Sequence, residues 1–313
     1  MSSSIAEDML SRILVLTGPT ASGKTTLAIA VAKRLNAEIV SADSVQVYQH
    51  LDVGSAKPTV EERCGVPHHL LSVVSPLVPF SVVDYVKLAE AAIVDILARG
   101  KVALVCGGTG LYLESLFSGH THAAPPDEGF REGFWAELET LGQEALYDRL
   151  RALDPQTAAQ VHPHNHVRVM RALEILHLTG APMPHQAIEF LPVPMYALDW
   201  PRPALLPRIE ARVDTMLRDG LVEETRRLLN MGIGWESQAL HAVGYRQLRP
   251  YLQGEATLPQ ARERIIIATR QYAKRQMTWF RNRLPQAVWI PAHERAVEAI
   301  AENIAADFWV RKP

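Results

Sequence analysis

A glycine-bracketed turn near the N-terminus has the residue types and spacing of a phosphate-binding loop. The segment ILVLTGPTASGKTTL contains the pattern G-x-x-x-x-G-K-[ST], between a β-branched run and a helix-like stretch. Glycines at this spacing let successive backbone N–H groups point at an anionic oxygen, and the following helix N-terminus adds partial positive charge. We predict phosphate binding by this loop, whose residues are Gly18, Pro19, Thr20, Ala21, Ser22, Gly23, Lys24 and Thr25.

Two side chains of this loop suit a bound phosphate and its metal ion. Lys24 supplies a mobile positive charge, and Thr25 supplies a hydroxyl ligand for Mg²⁺. A nucleotide hydrolase would also have an acidic residue at the end of a neighbouring strand, but the candidate strand KVALVC continues into GGTGLY. The sequence therefore predicts phosphate binding without the usual apparatus of hydrolysis, and it places Thr109 in a glycine turn at the phosphate end of the sheet.

An acidic residue follows the second predicted strand, in the segment EIVSADSVQVY. Because parallel strands end at one edge of a sheet, Asp43 should lie on the same edge as the phosphate loop. Position alone leaves open whether its carboxylate takes part in chemistry, caps the next helix or ligates Mg²⁺. The segment DVGSAKP then adds a glycine turn and Lys57, which together form a candidate active-site loop.

The bulk composition is that of an ordinary globular chain. The 313 residues are 48% hydrophobic and 21% charged, with a net charge of −2. No apolar run is long enough to span a bilayer, and the first ten residues lack the pattern of a secretory signal. Two cysteines without metal-ligand spacing are typical of a reducing, cytosolic setting. Any contact with nucleic acid must therefore come from a local patch of charge.

The order of predicted elements indicates an α/β fold, with a P-loop NTPase-like parallel sheet core flanked by helices and a helical insertion domain. Strands and helices of the first part are expected at residues 13–17, 25–35, 38–41, 81–99 and 102–106. The pattern then becomes helical and polar until a strand-like run returns near residue 195. We predict a first part of the core at 1–121, the helical insertion at 122–190, and a return to the core at 191–313.

A predicted helix near the C-terminal end has the composition of a polyanion-binding surface. Residues 261–283 include seven basic residues and one acidic residue, interleaved with Tyr272, Trp279 and Phe280. Cations beside aromatic rings suit the phosphates and bases of single-stranded RNA. A solvated face with inward-packed aromatic rings is the alternative, but the excess of cations favours a polyanion. Three of the cations share one helix face: Arg270, Lys274 and Arg281.

Two smaller groups of residues remain open from the sequence. His162, His164 and His166 alternate around a proline before a helix, which is poor geometry for chelating a metal ion. Arg208 and Arg212 lie four positions apart on one helix face. They could pair with nearby acidic residues or reach an anionic ligand.

Seven segments together resemble the bacterial tRNA dimethylallyltransferases, also called tRNA isopentenyltransferases. These segments are GPTASGKT, SADSVQVY, DVGSAKP, CGGTGLYLESL, VRVMRALEI, HAVGYRQL and TRQYAKRQMTWFRNR. The resemblance implies that the bound phosphates belong to dimethylallyl diphosphate and that the acceptor is N6 of adenine 37 in tRNAs that read codons beginning with U. It also implies a Mg²⁺-dependent cytoplasmic transferase, and we expect a monomer.

The same resemblance implies roles for individual residues. Asp43 would be the general base, while Lys24 and Thr109 would lie among the reacting groups. The residues that would contact tRNA are Asp43, Ser44, Val45, Gln46, Arg131, Val167, Arg168, Val169, Met170, Arg171, His241, Gly244, Tyr245, Arg246, Lys274, Arg275 and Arg281.

Two other activities fit part of the pattern. A P-loop small-molecule kinase would bind ATP in the same loop and use the helical insertion as a lid. An adenylate isopentenyltransferase would prenylate free AMP or ADP. Neither needs the basic helix, which therefore favours a macromolecular acceptor.

Overall fold

The structure, a computed structural model, describes residues 7–118, 127–182 and 190–310. The chain divides into two compact units, of which the first comprises residues 1–119 and 190–313 and the second comprises residues 120–189. Each unit has its own buried apolar residues. We call the first the sheet unit and the second the helical unit.

Six parallel strands form the sheet of the first unit. They are β1 (Ile13–Thr17), β2 (Ala37–Ala42), β3 (His68–His69), β4 (Val102–Gly107), β5 (Met195–Asp199) and β6 (Val288–Pro291). Their order across the sheet is β3-β2-β4-β1-β5-β6, with parallel pairing throughout. The central strands are buried apolar runs because helices cover both faces of the sheet. This arrangement confirms the predicted parallel α/β core.

Helices make up most of the remaining described residues. In chain order they are α1 (Lys24–Leu35), α2 (Val82–Ala98), α3 (Gly110–Phe117), α4 (Glu128–Leu153), α5 (Pro155–Ala158), α6 (His166–Thr179), α7 (Arg202–Arg218), α8 (Leu221–Asn230), α9 (Tyr245–Leu252), α10 (Leu258–Arg283) and α11 (Val297–Val310). Helices α4, α5 and α6 form the helical unit, where α4 is broken at Gly142. None of the described helices is both long enough and apolar enough to cross a membrane.

The sheet brings three strand ends to one edge. The connection from β1 to β2 passes over β4, so the phosphate loop after β1 lies next to the turn after β4, and β2 lies beyond it. The tips of β2 and β4 touch closely, because the Thr109 N–H donates a 3.1 Å hydrogen bond to the Ala42 carbonyl oxygen. Asp43 and Thr109 are therefore held side by side by backbone contacts.

Replacing Gly107 with alanine should destabilise the sheet unit, because a Cβ there would lie 2.1 Å from the Ala42 carbonyl oxygen. Relieving this overlap requires the two strand tips to separate, which should lower the free energy of unfolding by at least about 2 kcal/mol. Gly234→Ala is the matched control, since a Cβ at residue 234 meets no atom within 4 Å. Urea denaturation measures both changes, and equal unfolding free energies would contradict this packing.

Candidate active site

The phosphate loop turns sharply where β1 passes into α1. Gly23 adopts a φ of 86° as the N-cap of α1, so the helix begins at Lys24. The Lys24 ammonium folds back over the loop and donates a 2.7 Å hydrogen bond to the Pro19 carbonyl oxygen. The buried Ser22 hydroxyl has no hydrogen-bond partner among the described residues, so the loop has a polar atom to offer a ligand.

Side chains from the region around α7 support the loop from outside. The Arg208 guanidinium donates a 2.8 Å hydrogen bond to the Ala21 carbonyl oxygen and lies 4.5 Å from the centre of the Trp200 ring. The indole N–H of Trp200 donates to the Ser22 carbonyl oxygen at 3.1 Å. Arg208 thus supports the loop backbone, and because it also lines the cavity at this loop, contact with an anionic ligand stays a prediction.

Asp43 lies at the tip of β2 with its carboxylate half-engaged, meaning that only one of its two oxygens accepts hydrogen bonds from described residues. Its Oδ1 accepts hydrogen bonds from the N–H groups of Val45 at 2.9 Å and Gln46 at 3.2 Å. No hydrogen bond from a described residue engages Oδ2. Beside it, the Thr109 hydroxyl accepts a 3.0 Å hydrogen bond from the Ser44 N–H. The carboxylate is therefore fixed through one oxygen while the other is available for chemistry.

Two partly buried cations interact electrostatically with this carboxylate. Burial and, to a smaller extent, the charge of Arg212 lower the pKa of Lys24 to about 8, and the negative charge of Asp43 opposes that shift. Burial lowers the pKa of Arg212, again against the influence of Asp43. The neighbouring thiol of Cys106 has its pKa raised by burial to about 11, so it is uncharged at neutral pH. The site consequently has an excess of positive charge suited to an anion.

A cavity of about 580 Å³ opens onto the phosphate loop. Its lining residues are Ala21, Ser22, Gly23, Lys24, Thr25, Thr26, Ile29, Ala56, Glu62, Cys64, Arg208, Ala211 and Arg212. Its size is in the range of small-molecule sites. Asp43 and Thr109 are not among these residues, so the cavity accounts for the anion-binding half of the site.

Glu224 organises the segment that follows the β2 tip. Its buried carboxylate accepts hydrogen bonds from the N–H groups of three successive residues, 52–54, at 2.8–3.0 Å. It also accepts a 2.6 Å hydrogen bond from the hydroxyl of Tyr245, which is fully buried. The Tyr245 side chain therefore packs inside the sheet unit and has no exposed surface to offer tRNA.

Lys57 belongs to the same organised segment rather than to an exposed active-site loop. Its buried ammonium donates hydrogen bonds to the Tyr48 carbonyl oxygen, the Asp52 carboxylate and the Ser72 hydroxyl. All three bonds lie between 2.7 and 2.8 Å. These contacts give Lys57 a structural role.

The predicted tRNA contacts in the helical unit fall into three groups. Val167 and Arg168 are exposed at the start of α6. Val169 and Met170 are buried in the core of the unit, so their side chains are packing residues. The third group comprises Arg131 and Arg171, which both bind the same carboxylate.

Arg131 and Arg171 share the carboxylate of Glu174, which is fully buried. Arg131 Nε donates to Glu174 Oε1 at 2.8 Å, and Arg171 Nη1 donates to Oε2 at 2.5 Å. Both guanidinium groups remain partly exposed. The two predicted RNA contacts are thus held as a fixed pair.

The prediction that the basic residues of α10 lack compensating acidic residues is wrong. Acidic residues of other elements balance much of the charge. Four arginines of α10 have acidic partners, and these pairs are Arg262–Asp214, Arg270–Glu210, Arg281–Asp199 and Arg283–Glu114. Lys274 and Arg275 are exposed and have no acidic partner within the described part of the chain. The free cations of α10 are therefore fewer than its composition indicates.

The other predicted tRNA contacts of the sheet unit lie around the start of α9. His241 and Arg246 are exposed, whereas Gly244 is buried and is the N-cap of α9 with a φ of 106°. The three alternating histidines lie in the helical unit. His164 and His166 both contact Gln143 Oε1, and the described residues contain no group of three metal-ligating side chains disposed to hold an ion.

A family model described as IPP transferase matches residues 46–283, most of the chain. The chain belongs to the IPP transferase family. A second model, described as isopentenyl transferase, matches residues 11–71 and so covers the phosphate loop of this family member. These matches confirm the resemblance stated from the sequence segments.

Curated relatives of this family member cover almost its whole length. A tRNA dimethylallyltransferase of Geobacillus thermodenitrificans is 44% identical over 283 residues, which are 88% of this chain and 90% of the relative. A tRNA dimethylallyltransferase of Bacillus velezensis is 46% identical over 279 residues, 87% of this chain and 88% of the relative.

Solved structures of the family share the fold. The full-length tRNA isopentenylpyrophosphate transferase of Bacillus halodurans superposes with a TM-score of 0.72 at 38% identity, covering 96% of this chain and 98% of its own. A eukaryotic dimethylallyltransferase acting on tRNA superposes with a TM-score of 0.81 at 27% identity, covering 96% of this chain and 80% of its own.

Several residues that build the site of this family member were not predicted from the sequence. Gln276, whose side-chain amide hydrogen-bonds to the Thr20 N–H and the Gly108 carbonyl oxygen, is an uncharged residue in a motif that stands out for its cations. A signal was nevertheless present, because a polar residue stands four positions before Gln276 and residues four positions apart on a helix share one face. Trp200 and Glu224 belong to no such pattern, and only their contacts reveal their roles.

The lowered pKa of Lys24 makes anion binding proton-linked near pH 8. An anion should raise this pKa again, so pyrophosphate binding at pH 8.5 should take up roughly 0.7 proton at Lys24. Calorimetry in buffers of different ionisation enthalpy measures the uptake. Lys24→Arg is the matched control, because arginine stays protonated at this pH. Equal proton uptake by the two proteins would show that Lys24 is not the group that takes up the proton.

Proposed function

We propose that this chain transfers the dimethylallyl group of dimethylallyl diphosphate to N6 of adenine 37 in tRNAs that read codons beginning with U. The observation that supports this best is the placing of the half-engaged Asp43 carboxylate on the same sheet edge as an anion-binding loop with Lys24. The names of the curated relatives, tRNA dimethylallyltransferases, support the same reaction.

The diphosphate of the donor would bind in the phosphate loop. Backbone N–H groups, Lys24 and the desolvated Arg212 would supply its positive surroundings, and the Ser22 hydroxyl would gain a partner. Mg²⁺ fits this site, since it keeps several waters and binds substrate phosphates with few protein ligands. The exposed hydroxyl of Thr25 would be such a ligand, and the ion would supply charge neutralisation for the diphosphate.

The acceptor amine needs a base, because its lone pair is delocalised into the adenine ring. Asp43 would accept the N6 proton through Oδ2 as the new C–N bond forms and the C–O bond to diphosphate breaks. The departing diphosphate gains negative charge, which Lys24 and the loop N–H groups would stabilise. Thr109 keeps the Ser44 backbone in place beside the base.

The adenine would have to leave its stack to reach Asp43. Unstacking costs least in a single-stranded loop, which suits the anticodon loop of a tRNA. Exclusion of water from the closed site would protect the allylic carbon from hydrolysis. Ser44, Val45 and Gln46 follow Asp43 and are half-buried, so they would line the entry of the base.

Exposed cations would bind the tRNA backbone. In the sheet unit these are Lys274, Arg275 and Arg246, beside the exposed ring of His241, and in the helical unit they include Arg168. We propose that the helical unit is an insertion domain that binds the anticodon stem. Arg281, another predicted tRNA contact, is paired with Asp199, so it would have to break this ion pair before it could bind a phosphate.

We further propose that the protein acts as a monomer in the cytoplasm. The two thiols, Cys64 and Cys106, are free, which suits a reducing compartment.

Asp43→Asn should lower turnover by about 10²–10⁴, because the amide keeps the acceptor for the Val45 N–H but cannot take a proton. Affinity for tRNA should change little. Mass spectrometry of tRNA incubated with Mg²⁺ and the donor measures the gain of a five-carbon unit, and AMP is the comparison acceptor. Asp219→Asn, a change at an exposed aspartate, is the matched control. Normal turnover in Asp43→Asn would remove Asp43 from its proposed role.

Lys274→Ala and Arg275→Ala should each flatten the salt dependence of tRNA binding. The loss of one phosphate contact reduces the slope of log K against log salt by about 0.7–0.9. Arg262→Ala should leave the slope nearly unchanged, because Arg262 pairs with Asp214 at 2.5 Å. Filter binding over a salt series distinguishes them. Equal slope changes in all three variants would show that an acidic partner does not prevent a cation of α10 from contacting the RNA phosphates.

A further inference from the structure

The side chain of Gln276 joins two parts of the active site that lie far apart in the sequence. Its Oε1 accepts a 2.8 Å hydrogen bond from the Thr20 N–H of the phosphate loop. Its Nε2 donates a 2.8 Å hydrogen bond to the Gly108 carbonyl oxygen, in the turn after β4. The side chain is buried, at 6% exposure. One amide thus bridges the phosphate loop and the glycine turn.

The residues around the Gln276 amide are tightly packed. A Cβ at Gly108 would lie 2.5 Å from Gln276 Nε2, and a Cβ at Gly110 would lie 2.2 Å from the Trp279 ring. One turn earlier on α10, Tyr272 lies next to Thr109 and Gln276, and both side chains influence its pKa. The inner face of α10 therefore meets the glycine turn at three positions, while Lys274 and Arg275 point from the same helix to solvent.

We propose that Gln276 is a positioning residue that couples binding on the outside of α10 to binding in the phosphate loop. A helix is stiff, so a shift of α10 on contact with RNA moves Gln276 against both of its partners. The position of Thr20 in the loop, and with it the affinity for diphosphate, then depends on what α10 binds. This inference rests on the proposed function for the identity of the two ligands. By linkage, each ligand changes the affinity of the other by the same factor.

Substitutions at residue 276 separate the two hydrogen bonds. Gln276→Glu keeps an acceptor for the Thr20 N–H, loses the donor for the Gly108 carbonyl and adds negative charge near the diphosphate site. Gln276→Met keeps the volume and loses both bonds. Gln271→Glu is the matched control, because Gln271 is an exposed glutamine on the same helix.

The experiment measures pyrophosphate binding by calorimetry, with and without an unmodified anticodon stem-loop RNA. In the wild-type chain the RNA should change the dissociation constant of pyrophosphate by about fivefold or more. In Gln276→Met this ratio should fall to about one, with the affinity for RNA close to wild type. Gln276→Glu should weaken pyrophosphate binding by about tenfold or more, and Gln271→Glu should behave as wild type.

A ratio of one in the wild-type chain, or a ratio that persists in Gln276→Met, would overturn the proposal. If Gln276→Met melts at a much lower temperature, Gln276→Glu supplies the test, since an unchanged ratio there also overturns it. These are equilibrium measurements, so they are independent of turnover. Failure of the wild-type chain to prenylate tRNA would count against the proposed function and leave the measured coupling intact.

Discussion

The close backbone contact between the tips of β2 and β4 is the constraint on which the site depends. Gly107 has no room for a side chain because a Cβ would meet the Ala42 carbonyl 2.1 Å away. The contact brings Asp43 and Thr109 together, and the crossing of β1 to β2 over β4 sets the phosphate loop beside them. Any widening of this edge would separate the proposed base, Asp43, from the loop that is proposed to hold the departing diphosphate.

Desolvated charge follows from that crowding. Lys24 and Arg212 lose water at the sheet edge, and Asp43 is their common electrostatic partner. Charges in such surroundings interact more strongly than in water. In the proposed reaction the carboxylate is neutralised by the N6 proton at the stage when the diphosphate gains charge. The two cations then face the leaving group without competition from Asp43, so one arrangement serves both halves of the transfer.

Local signals explain what the sequence could predict. The turn between β1 and α1, the strand ends and the helix over residues 261–283 depend on neighbouring residues, and the structure confirms these elements. The charge of α10 was misjudged because its acidic partners lie elsewhere in the sequence: Arg281 pairs with Asp199, and Arg270 with Glu210. Helix α3 was missed because its N-terminal glycines indicate a turn, while packing against α2 stabilises a helix. Tertiary contacts decided each of these cases.

Pairing of charges also constrains how an RNA would be recognised. The chain has a net charge of −2, and four arginines of α10 already have acidic partners. Long-range attraction to RNA is therefore weak, and few cations of α10 remain free to bind phosphates. Discrimination would then rest on the cost of extruding the adenine, which is lowest in a loop whose bases are already unpaired. In the proposed coupling, Gln276 joins the inner face of α10 to the phosphate loop. An RNA loop that is seated correctly on α10 would then bind more tightly when the diphosphate site is also correctly formed.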